Sequence, residues 1–196
     1  MQPVSSVHEH AEGQLRVIRA AMERAGAFTA VPGWGGVLMG VVGIVAGVVA
    51  GRTHEPREWV LVWLVAAGVA VPVGVAALMH RAQTAGVDLA AGVARRFVLS
   101  LATPVAAGVV LSAALLQRES YDLLPTVWLT LYGTGVVLAG VFSIRLITVL
   151  GVSFMGLGAA AAFAPWWLAT ILVVAGFGGL HLLTGSIVLG SDRRSG

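Results

Sequence analysis

From residue 27 onward the chain is a succession of apolar runs separated by short polar stretches. Each run is roughly the 20 residues that a helix needs to cross a hydrocarbon core, so each predicts a transmembrane helix. The first is Phe28–Ala50, followed by the polar loop Gly51–Glu58, where Pro56 suits the first turn of the next helix. The second, Trp59–Met79, ends at His80-Arg81, and the longest internal loop leads from there to Arg95-Arg96. The third is Phe97–Leu116. The polar stretch Gln117–Asp122 then closes a hairpin, with Asp122 placed to cap a fourth span, Leu123–Phe142. Between Leu123 and Phe163 the only charge is Arg145, in a segment about two spans long, so the chain must turn at Ser143-Ile144-Arg145. The fifth span is then Leu146–Phe163. Pro165 with Trp166-Trp167 makes the last turn, and the sixth span runs to Gly190.

Residues 1–26 are the only sizeable polar segment. Ser6-Val7-His8-Glu9 has the form of a capping box, in which the two side chains satisfy each other's free backbone N–H groups. Leu15, Ile18 and Met22 recur at three- and four-residue steps, while Glu12/Arg16 and Arg19/Glu23 sit four apart on the opposite side, and Gly26 is placed to end the helix. The apolar residues form a stripe and not the continuous core of a signal peptide. The segment is therefore expected to be an amphipathic cytoplasmic helix on the membrane surface. The expected organisation is this helix over 1–26, a six-helix transmembrane domain over 27–191 and a cytoplasmic tail over 192–196. The fold class is all-α, an integral membrane bundle.

Composition agrees with the pattern. Of 196 residues 58% are hydrophobic and 11% charged, against about 25% charged in a soluble domain. Cysteine is absent, which excludes disulfides, thiolate chemistry and cysteine-bound metal. Lysine is absent too, and all 12 basic residues are arginine; with abundant Gly, Ala and Val this has the look of a high-GC bacterial genome. The pI of about 10.6 arises from few charges, so it reads as loop charge that orients a membrane protein and not as a nucleic-acid footprint. With the N-terminus inside, nine arginines fall on the cytoplasmic side and three (Arg52, Arg57, Arg118) outside. The expected location is the bacterial inner membrane, both termini cytoplasmic, with the lipid bilayer and a protein partner or a second copy of the chain as the neighbours to look for.

The spans pair as three hairpins whose second helices carry tryptophan near the outer end: Trp59/Trp63, Trp128 and Trp166/Trp167. Trp63 precedes Gly68 by five residues and Trp128 precedes Gly133 by five. A threefold hairpin repeat and chance similarity among Gly/Ala/Val-rich helices both account for this. The runs Gly36–Gly43 and Gly151–Gly158 resemble, over these short stretches, the repeated hairpins of HdeD-type membrane proteins, a six-helix bacterial family linked to acid resistance. Across most of its length, in Phe28–Gly35, Phe142-Ser143-Ile144-Arg145 and Phe177-Gly178-Gly179-Leu180-His181, the chain resembles six-span proteins of acidobacteria-like genomes. That resemblance implies a six-span fold and no activity.

Candidate chemistry is sparse. Gly33, Gly36, Gly40, Gly43 and Gly47 alternate three- and four-residue steps along the first span, leaving a smooth face for close helix packing or, less simply, a flat wall against a ligand. Five of six tryptophans fall at the outer half and only Trp34 at the inner; the expectation is an interfacial belt, with a stacked aromatic site as the sharper alternative. His181 is the one ionisable residue well inside a span, and a polar group at that depth needs a partner. It is expected to face the bundle, near the glycine face of the first span and the hydroxyls of the third or fifth. A structural hydrogen bond, a ligand or proton site, and a haem or metal ligand are its three readings. Arg145 is a topology anchor or, with His181, Thr184, Thr103 and Trp34, part of an inner-leaflet pocket for an anionic group. His8, Glu9, His10 and Glu12 share a helix face too poorly to favour metal. No Walker loop, H-E-x-x-H, G-x-S-x-G or mid-span carboxylate is present.

These features lead to the expectation of a non-enzymatic membrane protein without a cofactor, acting through a protein partner or lipid in envelope stress or as an accessory subunit. The alternatives are a small carrier or binding protein for an anionic or amphipathic molecule and, more remotely, a haem- or quinone-associated redox subunit.

Overall fold

The computed structural model describes residues 31–195, and every regular element among them is helical. The amphipathic helix expected over 1–26 lies outside the described residues. In chain order the elements are α1 (Gly33–Ala50), α2 (Pro56–Thr84), α3 (Gly92–Gln117), a 3-10 turn (Tyr121–Leu123), α4 (Leu124–Gly140), α5 (Arg145–Ala161), α6 (Trp166–Val173), a π-helical stretch (Val174–Leu180) and α7 (His181–Ser195). The last three follow one another without a break and form a single rod. Five helical segments are long and apolar enough to cross a membrane: α1, α2, α3, Tyr121–Gly140 and Trp166–Ser191. The sixth, α5, is apolar but only 17 residues long. Large aliphatic side chains such as Val65, Val110 and Val141 stand outward, each 69% exposed, as a lipid-facing surface requires.

The helix ends follow local chemistry. Pro56 occupies the first turn of α2. At the other end of α2, Gly86 adopts φ +66° and lets the Val87 N–H reach back to the Ala82 carbonyl (2.8 Å), a Schellman stop. Asp122 does not cap the fourth helix as the sequence suggests. It stays in the 3-10 turn, and Leu123 takes the cap position with no side-chain bond. Pro125 explains the tolerance, because it removes one of the N–H groups that a cap would serve. Helix α3 starts at Gly92, earlier than the expected Phe97, so Arg95 and Arg96 lie on its first turns.

Two layers of three helices make up the bundle. In one, α4 lies between α3 and α5; in the other, α1 lies between α2 and the rod. Helix α5 packs far more extensively on α4 before it than on the rod after it. Each layer closes on a glycine seam. Gly33, Gly36, Gly40, Gly43 and Gly47 of α1 face the rod so closely that a Cβ at Gly43 would stand 2.6 Å from the Phe177 carbonyl, and one at Gly33 would stand 2.9 Å from the Gly185 carbonyl. The rod answers with Gly178 against Ile44 and Gly185 against Val37. A second seam joins α4 and α5 through Gly133, Gly140, Gly151 and Gly158, where a Cβ at Gly133 would stand 2.8 Å from the Gly151 carbonyl. Lipid supplies no hydrophobic drive between helices, so backbone contact through small residues carries this association.

Candidate functional site

His181 opens α7 directly after the π-helical stretch. Single π turns inside helices widen the backbone and often mark functional positions. Here the widened turns are rich in glycine, and Gly176 lies so close to Leu129 and Phe154 that a Cβ would meet both side chains at under 3 Å. The His181 side chain is turned into the bundle, 4% exposed, among Tyr132 of α4, Phe154 of α5 and Phe177 of the π stretch. Its Nε2 and the Tyr132 Oη are 2.7 Å apart, a hydrogen bond across the two layers. Nδ1 is buried and makes no hydrogen bond. The four rings touch pairwise, with centroids 4.8 Å apart for Tyr132 and Phe154 and 5.2 Å for Phe154 and Phe177. Such edge and tilted contacts suit aromatic quadrupoles.

The aromatic core continues toward the opposite end of the bundle from Arg145. Phe177 meets Trp63 (6.1 Å), Trp63 meets Trp59 (6.0 Å), and Trp59 stacks on Trp128 (5.6 Å) and stands edge-on to Trp166 (4.9 Å). Trp59 and Trp63 are therefore core residues, 4% and 5% exposed, and not members of the interfacial belt that their position in sequence suggested. The Trp128 Nε1–H donates to Ser112 Oγ at 2.8 Å, and that hydroxyl donates onward to the Gly108 carbonyl within α3. The Trp63 Nε1–H is buried without a partner. Burying a donor unpaired is costly, and the position is worth explaining.

Beside it lies a cavity of about 270 Å³. It is lined by Trp59, Trp63, Trp166 and Trp167 with Gly47, Ala50 and Val174, and by the polar residues Thr53, His54, Glu55 and Thr170. The loop between α1 and α2 thus folds over the gap between the start of the rod and the end of α1.

The five residues expected to frame an inner pocket are placed as follows. His181 is central, as described. Thr184, one turn on, donates its hydroxyl to the Leu180 carbonyl at 2.7 Å. Thr103, exposed on α3, donates to Leu99 of its own helix at 2.8 Å. Trp34, at the start of α1, is 38% exposed and stands edge-on to His80. Arg145 is exposed at the start of α5, nine residues or about 14 Å of helix before the level of Phe154. Among the described residues no hydrogen bond or ring contact joins Arg145, Thr103 or Trp34 to His181. The partner of His181 is the phenol of Tyr132 and not a hydroxyl of the third or fifth span. Tyr132 carried one signal in the sequence, a polar-tipped ring in mid-span with no interface nearby. Among the described residues no three His, Asp or Glu side chains come together as a metal site.

Comparison with protein families, with curated proteins and with solved structures gives no match to the chain.

Proposed function

We propose that this chain is a non-enzymatic inner-membrane protein of six crossings that binds a small amphipathic molecule in the tryptophan-walled cavity. The observation that carries the reading is that cavity, because it combines an apolar, indole-rich lining with a few polar groups, Thr53, His54, Glu55 and Thr170. This is the binding alternative that the sequence offered, supported at the tryptophan end and not around Arg145. Six crossings are supported by connectivity. Helix α4 starts beside the tryptophans, α5 leads from Arg145 back toward Trp166, and the rod starts there, so α5 joins one end of the bundle to the other despite its 17 residues. At about 1.5 Å per residue it is some 25 Å long, against roughly 30 Å of hydrocarbon.

Orientation is tested by reporter fusions at Glu12, His54, Gly86, Glu119 and Gly196. The first, third and fifth should report the cytoplasm and the others the outside; termini on opposite sides would end the six-crossing reading. Binding is tested by native mass spectrometry of the protein from mild detergent. A stoichiometric small-molecule adduct that Trp167→Ala releases supports it. A partner chain bound to a protein without any adduct would replace it with the accessory-subunit reading.

A further inference from the structure

The chemistry of the cavity narrows its ligand, provided the binding reading holds. At about 270 Å³ the space is just under the roughly 300–1,000 Å³ of drug-sized pockets, so it suits a headgroup or a molecule of that size. Four indoles line it, and tryptophan is the aromatic side chain that attracts cations most strongly, through the negative face of its ring. The charged lining group is the Glu55 carboxylate, with His54 beside it, and no arginine lines the cavity. The backbone fields partly cancel. Helices α2 and α6 present their N-terminal ends here, but the C-terminal end of α1 at Ala50 and Gly51 adds carbonyl charge of the opposite sign, and of the loop charges Arg52, Glu55, Arg57 and Glu58 only Glu55 lines the cavity.

We infer that the cavity holds a methylated ammonium group, presented either by a free quaternary amine or by a lipid headgroup. The indoles of the lining, Trp167 the most exposed of them, attract the cation, and Glu55 balances its charge.

Calorimetry on the detergent-solubilised full chain tests this with three probes of one shape: choline, its neutral isostere 3,3-dimethylbutan-1-ol, and the anion 3,3-dimethylbutanoate. Choline should bind at least about tenfold more tightly than the neutral isostere. Glu55→Gln and Trp167→Ala, both at exposed positions, should each weaken choline about fivefold and leave the folded yield unchanged. Equal binding of the neutral isostere, or tighter binding of the anion, overturns the inference. The source is read in nanodiscs. If a lipid is the ligand, adding phosphatidylcholine to phosphatidylglycerol discs suppresses choline binding; if a free amine is, choline binding is the same in both. If no probe binds while the native protein carries an adduct released by Trp167→Ala, the ammonium class is wrong and the cavity reading stands. If there is neither probe binding nor adduct, both fall.

Discussion

The glycine seams and the aromatic core solve the same packing problem in opposite ways. At the seams, α1 meets the rod and α4 meets α5 with backbone close to backbone, as at Gly33, Gly43, Gly133 and Gly151, while side chains such as Val174 and Ile44 fill the space over Gly47 and Gly178. Between the layers, eight rings from α2, α4, α5 and the rod keep the helices apart. Along most of its length such a seam leaves no room for a ligand, and only its end at Gly47 borders the cavity. Rings are large and rigid, and where their column reaches the end of the bundle they do not tile the space completely, so a cavity remains. Strength therefore concentrates in the seams, and recognition at the end of the layer formed by α1, α2 and the rod, where the tryptophans leave space.

Four changes separate these roles, in order of expected effect. Gly43→Leu would drive a side chain into the Phe177 backbone, which cannot yield as a flexible side chain does. The cost should exceed the about 1–3 kcal/mol of ordinary overpacking, and little monodisperse protein should survive size exclusion. Gly68→Leu is its control, because nothing lies within 4 Å of a Cβ there; if both variants behave alike, the seam is not what holds the layer. Phe154→Ala removes a fully buried ring from the core and should cost about 3–5 kcal/mol, read as a lowered melting temperature in detergent. A loss below about 1 kcal/mol would mean that the rings merely fill space that lipid or water can take over.

Tyr132→Phe keeps the ring and deletes the hydroxyl that pairs with His181, leaving a buried ring nitrogen alone. About 1–2 kcal/mol should be lost, and a double-mutant cycle with His181→Phe should show a coupling near the 0.6–1.7 kcal/mol found between membrane helices. No coupling would mean that the bond does not join the layers. Ser112→Ala strands the Trp128 indole N–H and should cost about 1 kcal/mol, with a shift in tryptophan emission that the Tyr132 variant does not produce.

Much of the fold was legible in the chain. Apolar runs of membrane length, Pro56 at a helix start and the turn at Arg145 each state a local requirement, and the helices follow them. The α1 glycines were legible as a smooth face, since that follows from spacing alone. Their partner was not, because spacing on one helix does not say which other helix it meets. The α4–α5 seam was harder to see, because its glycines are split between two helices at seven-residue steps and only their juxtaposition makes a pattern.

The candidate site divides in the same way. That His181 needed a partner was readable from the cost of burying a polar ring in hydrocarbon. That the partner is Tyr132, 49 residues away, depended on how the layers face each other. The tryptophans show the limit most clearly. Their clustering at one end is a property of the sequence, and an interfacial belt is what that position normally means. Whether an indole on a helix near the membrane surface points to lipid or into the bundle depends on the rotation of that helix, which neighbouring helices set. The sequence by itself determined an all-helical chain with membrane-length spans, its polar ends and its small-residue face, because these depend on local transfer and backbone costs. Only the tertiary structure decided which faces meet, that Trp59 and Trp63 turn inward, and that a cavity remains beside them, because packing is a property of several helices at once.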